Sequence, residues 1–301
     1  MEDLMSFKHL VCGGAGTVHV DSGLPRVGEL YGVESNGDLR WYRYEGSGQF
    51  GPDGSVGWAQ NSRNLIGNGW GEFKFLCGGG DGVLFGVEPN GDLRWYQYAA
   101  GDGIEDHAGS RGWSANSQNV IGNGWSGFIN LVCTPKAGRI RHNPASTLYA
   151  VEPGGNLRWY RYVGDGTPDR SGNTGWAQKS GNVIGNGWQN FKILTAASST
   201  LLGVEQNGDL RWYNYNGDGT SDPSGNTGWH SNSRNVIGRG WNRFSRIVGG
   251  PDDNQGFGIA LYAVEPDGDL YWYKYLGNGS SDPSGSTGWH PNSGTQIGCG
   301  W

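Results

Sequence analysis

Residues 30–44, LYGVESNGDLRWYRY, return four more times: LFGVEPNGDLRWYQY from Leu84, LYAVEPGGNLRWYRY from Leu148, LLGVEQNGDLRWYNY from Leu201 and LYAVEPDGDLYWYKY from Leu261. Each copy is two aliphatic and aromatic runs around a dipeptide, Asn36-Gly37 in the first and Asp267-Gly268 in the last. Residues that tolerate positive φ at both central positions suit a type I′ turn, so each copy reads as a β-hairpin. Hairpins recurring at intervals of roughly 53 to 64 residues mean a repeat architecture.

Around the hairpin each unit has the same parts. A strand opened by Phe precedes it, at Phe7, Phe73, Phe128, Phe191 and Phe244, and a Gly/Asp/Ser loop follows. Last comes a segment running from one Trp to another twelve residues on: Trp58 and Trp70, Trp113 and Trp125, Trp176 and Trp188, Trp229 and Trp241, Trp289 and Trp301. The units fall at about 1–70, 71–125, 126–188, 189–241 and 242–301, read as one domain over 1–301. Four antiparallel strands per unit, five times over, predict an all-β five-bladed propeller with one blade per unit and almost no helix. Each blade is continuous in sequence, so the ring is expected to close by packing, with no strand shared between the termini. Bulky residues on both faces of the hairpin strands agree with blades covered on both sides.

The order of these parts resembles the tachylectin-like lectins. The resemblance rests on FKFL from Phe73, LYAV from Leu148 and IGNGW ending at Trp70, Trp125 and Trp188, and it covers essentially the whole chain. It implies a five-bladed propeller lectin that binds N-acetylated amino sugars, N-acetylglucosamine or N-acetylgalactosamine, near the outer part of the ring, with no cofactor and no chemistry of its own. The pattern departs from the family at the residue before the first Trp of each segment. There the family carries Asn, and this chain carries Gly57, Gly112, Gly175, Gly228 and Gly288.

Composition narrows the partners. The chain has 58 glycines, 15 tryptophans and 14 tyrosines in 301 residues, far from average usage and suited to tight turns and aromatic packing. A net charge of −6 without a Lys/Arg run argues against nucleic acid or an anionic membrane surface. No stretch approaches the ~20 apolar residues of a membrane span. The start, MEDLMSFKHL, lacks the basic and apolar parts of a signal peptide, so as given the chain is expected to stay where it is made, unless it is a mature secreted form.

The repeated charges read structurally. Glu34, Glu88, Glu152, Glu205 and Glu265 hold one slot, whereas a catalytic acid and base need unlike environments, so no enzyme is expected. A two-residue turn would pair Val33 with Arg40 and put Glu34 and Arg40 on opposite faces. Neighbouring blades meet by opposite faces, so Arg40, Arg94, Arg158 and Arg211 are expected to pair with the Glu of an adjacent blade, and Tyr271 in the fifth copy makes one junction different. Asp-rich loops such as 165–169 and 218–222 lack the spacing of a calcium loop and read as turns. Cys12, Cys77 and Cys133 fall near one slot and read as small buried residues at the ring centre, with Cys299 unpaired. The histidines show no ligand spacing, so no metal site is expected.

The Trp-to-Trp segments remain. Indoles with amides between them suit a sugar, whose apolar face stacks on a ring while its hydroxyls take hydrogen bonds. The candidate amides are Asn61, Asn64 and Asn68 in the first segment, Asn116, Asn119 and Asn123 in the second, and Asn182 and Asn186 in the third. Asn232 and Asn235 follow in the fourth and Asn292 in the fifth. In the structural reading the indoles plug gaps between blades and the amides cap turns. Asn68, Asn123 and Asn186 give way to Arg239 and Cys299, and Asn64 to Thr295, so the first three segments are expected to bind best. The alternative function is a protein-interaction scaffold that uses the unrepeated linkers 13–29, 134–147 and 249–260.

Overall fold

The computed structural model describes residues 7–15, 28–135, 145–252 and 258–301. Residues 16–27, 136–144 and 253–257, the middles of the linkers on which the scaffold reading rests, lie outside them. The described strands form five four-stranded sheets, each a meander of antiparallel neighbours in chain order. Blade one holds Phe7–Ala15, Gly28–Glu34, Leu39–Tyr44 and Leu65–Gly67. Blade two holds Phe75–Gly80, Val83–Val87, Leu93–Gln97 and Val120–Gly122. Blade three holds Asn130–Pro135, Ser146–Val151, Leu157–Tyr162 and Asn182–Gly185. Blade four holds Ile193–Ala197, Thr200–Val204, Leu210–Asn214 and Val236–Gly238. Blade five holds Arg246–Asp252, Ile259–Val264, Leu270–Tyr275 and Thr295–Gly298. Among the described residues there is no α-helix, only short 3-10 turns such as Trp70–Glu72.

The first strands of successive blades lie side by side, and that of blade five returns to that of blade one. They line a central channel of about 300 Å³. The core is divided among the five junctions. Leu39, Trp41 and Ile66 of blade one pack with Leu76, Leu84 and Tyr98 of blade two, and clusters of the same composition fill each following junction. Closure uses the same packing. Leu270, Trp272 and Ile297 meet Phe7, Tyr42 and Tyr44, and among the described residues no strand crosses from one terminus into the other's sheet.

The hairpin turns differ from the type I′ expectation. Glu34 N–H donates to Asp38 O, and Gly37 N–H to Glu34 O, both at 2.9 Å, so the loop has three residues. Gly37 takes φ +90° while Asn36 does not leave negative φ, which is the type I turn followed by a left-handed glycine. The other four turns repeat this at Gly91, Gly155, Gly208 and Gly268. The added residue shifts the register by one, to Val33 opposite Leu39 and Gly32 opposite Arg40.

That shift overturns the expected inter-blade ion pairs. Glu34 and Arg40 now project from one face of one hairpin, and Arg40 Nε reaches Glu34 Oε1 at 2.5 Å. Arg94 pairs with Glu88, Arg158 with Glu152 and Arg211 with Glu205 in the same way. Each pair is partly open to water, and the arginine also donates to the backbone at the start of its last strand, as Arg211 does to Arg234 O at 2.6 Å. In blade five Tyr271 stands in the arginine's place, and Glu265 is met instead by Arg243 of the preceding turn, at 3.4 Å.

The cysteine expectation is also corrected. Cys77 and Cys133, on the adjoining inner strands of blades two and three, are disulfide-bonded, with Cα atoms 5.8 Å apart. Equivalent slots become neighbours only when the ring brings successive first strands together. Cys12 is free and buried, and Cys299 is free and exposed.

One buried acid breaks the repeat. Glu29 is fully buried at a slot held elsewhere by Val83, Thr147, Thr200 and Ala260. Tyr31 donates to its Oε2 at 3.1 Å, while Oε1 and Trp41 Nε1, both buried, complete no hydrogen bond among the described residues, although Trp41 also favours the charged carboxylate. Burial outweighs the Tyr31 hydrogen bond and pushes the carboxyl up to about 7.

Two outcomes are expected. Because water reaches the Glu88–Arg94 pair, Arg94→Ala should lower the urea-unfolding free energy by about 1 kcal/mol; a loss of ~3 or more would mean the pair is effectively dry. For Glu29, the unfolded chain releases its proton above about pH 4.5 while the folded chain keeps it until about 7, so its contribution to stability falls as pH rises through that window. Glu29→Gln should therefore gain on the wild type by on the order of 3 kcal/mol between pH 4.5 and 8. A difference between the two proteins that does not change with pH would refute this.

Candidate functional site

The loop of each blade is seated on the preceding blade. Gly103, at φ +60°, lies flat on the Trp41 ring, where an added Cβ would come within 2.0 Å of the indole. Gly166 on Trp95, Gly219 on Trp159, Gly279 on Trp212 and Gly48 on Trp272 repeat the contact. Only a residue without a side chain fits this slot.

The amides then clamp the loop. Asn64 Nδ2 donates to Gly103 O, Asn119 to Gly166 O, Asn182 to Gly219 O and Asn235 to Gly279 O, each at 2.9 Å. Asn61, Asn116, Asn232 and Asn292 donate to Asp102 O, Asp165 O, Asn278 O and Ser47 O. Asn68, Asn123 and Asn186 reach His107 O, Arg170 O and Pro223 O. The donor atom of every candidate amide is thus engaged with a neighbouring loop. The Asp-rich loops are held from within as well: Asp222 accepts from Ser224, Asn226 and Thr227, which pulls its carboxyl far below the usual range.

Beside this clamp, two indoles from different segments meet at every junction. Trp70, left-handed Gly69 before it, lies 5.3 Å from Trp113 and 4.4 Å from Tyr96, with Phe73 at 5.7 Å. The pairs Trp125–Trp176, Trp188–Trp229, Trp241–Trp289 and Trp301–Trp58 repeat it at 5.2 to 5.6 Å. The first indole of each segment also reaches back across the junction. Trp113 Nε1 donates to Ile66 O at 3.2 Å, and Trp58 Nε1 to Ile297 O at 3.0 Å. The indoles do fill gaps between blades, and they also wall a cavity.

Between blades three and four the cavity measures about 450 Å³, lined by Asn186, Trp188, Phe191, Tyr213, Trp229 and Arg234. Between two and three it measures about 380 Å³, with Asn123, Trp125, Phe128, Tyr160, Trp176 and Ser180. Between one and two about 120 Å³ remain, beside Asn68, Trp70, Phe73, Tyr96, Trp113 and Gln118. The two larger cavities fall within the roughly 300–1,000 Å³ of small-molecule sites. Burial pushes the phenols of Tyr96, Tyr160 and Tyr213 up to about 12, so each stays neutral and can donate or accept a hydrogen bond. At the rim, Gly69, Gly124 and Gly187 have nothing within 4 Å of an added Cβ, which leaves open space beside each of them.

The structure therefore brings together Asn68, Trp70 and Trp113 and their counterparts, but not the indoles of a single segment. Asn61, Asn64 and their counterparts act on the loops and do not line the cavities. The phenylalanine and tyrosine walls were missed as site residues, although their recurrence as strand opener and hairpin tyrosine was visible; nothing in a single repeat tells that they face the next segment's indole.

The tachylectin family model matches residues 8–109 and 98–224. Similar solved structures include a mutant Aleuria aurantia lectin in complex with Fucα1-6GlcNAc, at 15% identity and TM-score 0.47, covering 99% of this chain and 98% of that one. AofleA from Arthrobotrys oligospora is similar at 10% identity and TM-score 0.47, over 97% of this chain and 87% of that one. SapL1 lectin in complex with α-methyl fucoside is similar at 15% identity and TM-score 0.41, over 95% and 80%. No curated protein matches the chain.

If the amides act as clamps, the Asn64→Ala, Asn119→Ala, Asn182→Ala triple variant should lose about 1 kcal/mol per site. The three sites share no partners, so the losses should add to about 3 kcal/mol. An unchanged thermal melt would remove the clamps from the account.

Proposed function

The chain belongs to the tachylectin family, and from that premise we propose that it is a single-domain, multivalent carbohydrate-binding lectin whose sites are its blade junctions and whose ligands are N-acetylated amino sugars. The observation that carries this reading is the repeated juxtaposition of an indole pair, a neutral tyrosine, a phenylalanine and a glycine with open space beside it. The aromatic walls suit the apolar face of a pyranose and the methyl of an acetamido group. The rim peptides and tyrosine hydroxyl supply donors and acceptors for the acetamide and the ring hydroxyls. Asn68, Asn123 and Asn186 keep their Oδ1 for the ligand while Nδ2 holds the loop, so the first three segments offer the fullest polar rim.

Catalysis has no support in the site. Glu34, Glu88, Glu152 and Glu205 are each paired to an arginine in equivalent surroundings, which cannot divide the roles of acid and base. Glycoconjugates are the partners this geometry favours. One shallow site should bind at roughly millimolar to tens of micromolar Kd, and several on one ring should raise avidity for a multivalent glycan by ~10²-fold or more.

Calorimetric titration tests this. N-acetylglucosamine or N-acetylgalactosamine should bind, glucose and galactose should bind more weakly, and Trp176→Ala should remove the site between blades two and three. Equal affinity for sugars with and without the acetamide would overturn the specificity; failure to bind any glycan would overturn the lectin reading.

A further inference from the structure

We propose that Arg243 occupies the ligand site between blades four and five, so that this junction is closed to sugar while the cavities between the earlier blades stay open; the inference rests on the reading of the junctions as sugar sites. The slot before each strand-opening phenylalanine is Glu72, Gly127 and Asn190 at the earlier junctions and Arg243 here. Between blades three and four that slot lies on the cavity wall: Asn190 lines it together with Phe191, Glu205 and Tyr213.

Arg243 touches the counterparts of all three. Its guanidinium carbon stands 4.6 Å from the Phe244 ring centre, Nη2 donates to Tyr273 Oη at 2.9 Å, and Nε lies 3.4 Å from Glu265 Oε1. The Tyr271 ring adds a further cation–π contact at 5.3 Å. Phe244 is left 1% exposed, against 6% for Phe73, 9% for Phe128 and a partly buried Phe191 at the earlier junctions. A sugar entering here would have to displace a cation held by a carboxylate, a phenol and two rings.

The cause is the one irregular hairpin. In blades one to four the glutamate is met by the arginine of its own hairpin. In blade five Tyr271 stands in place of that arginine, and Arg243, from the turn before the blade, meets Glu265 instead. Ligand valence is thereby tied to a substitution on the hairpin's other strand.

Two variants test this: Arg243→Gly, which copies the slot of Gly127, and Arg243→Gly with Tyr271→Arg, which also restores the hairpin pair of the other blades. Wild-type crystals soaked in N-acetylglucosamine should show sugar beside Trp125–Trp176 and Trp188–Trp229 and none beside Trp241–Trp289. At least one variant should gain sugar beside Trp241–Trp289, with calorimetric stoichiometry rising by one site per chain and the affinity of the other sites unchanged. Sugar over Phe244 in the wild type, or no gain in either folded variant, would overturn the inference. A wild type that takes sugar at no junction would overturn the site reading itself, and this inference with it, before any variant is compared.

Discussion

Everything in this ring depends on the seating of one blade's loop on the next-earlier blade's indole. A meander of four strands buries neither of its faces alone, and the ring solves this by making each face half of a junction core. Glycine on tryptophan sets how closely the loop approaches, asparagine donors satisfy the carbonyls that the approach would otherwise bury, and the segment's first indole reaches back to the preceding blade. The same closeness packs the second indole on the next blade's tyrosine and phenylalanine, with a cavity beside them. Candidate site and structural seam are therefore made by the same residues.

A one-residue difference in turn length reassigns the charges. With the left-handed glycine as a third loop residue, glutamate and arginine share a face and neutralise each other inside one hairpin, leaving the junctions to aromatic packing. Since each hairpin is self-sufficient in charge, junctions can vary without cost to their neighbours. In blade five the glutamate is met by Arg243 of the preceding turn, whose contacts match residues that line the cavity between blades three and four.

The ring centre follows different rules from its rim. Inner strands carry small residues where they crowd, and Cys77 and Cys133 turn one such contact into a covalent tie. Glu29 sits buried in blade one, where desolvation outweighs its hydrogen-bonding neighbours, so this blade carries a pH dependence that its four relatives, with Val83, Thr147, Thr200 or Ala260, avoid.

The repeat, the strand count, the absence of α-helix and closure by packing were all legible in the chain, because each is a property of one unit multiplied by five. So was the recurrence of indoles and amides in the last segment of each unit, though not that the amides spend their donors on the neighbouring loops. What one unit cannot show is which unit's residues it meets. Trp70 finds Trp113 and not Trp58, Cys77 finds Cys133, and Asn64 spends its donor on Gly103, because a propeller places residues a whole repeat apart within contact distance. Turn type escaped for a smaller reason: Asn-Gly serves both a two-residue and a three-residue loop, and only the backbone hydrogen bond from Glu34 to Asp38 distinguishes them. The sequence by itself determined that there are five equivalent blades and what they are made of. The tertiary structure decided which faces meet, and hence where the cavities lie, because those depend on register and on contacts between units that no local pattern encodes.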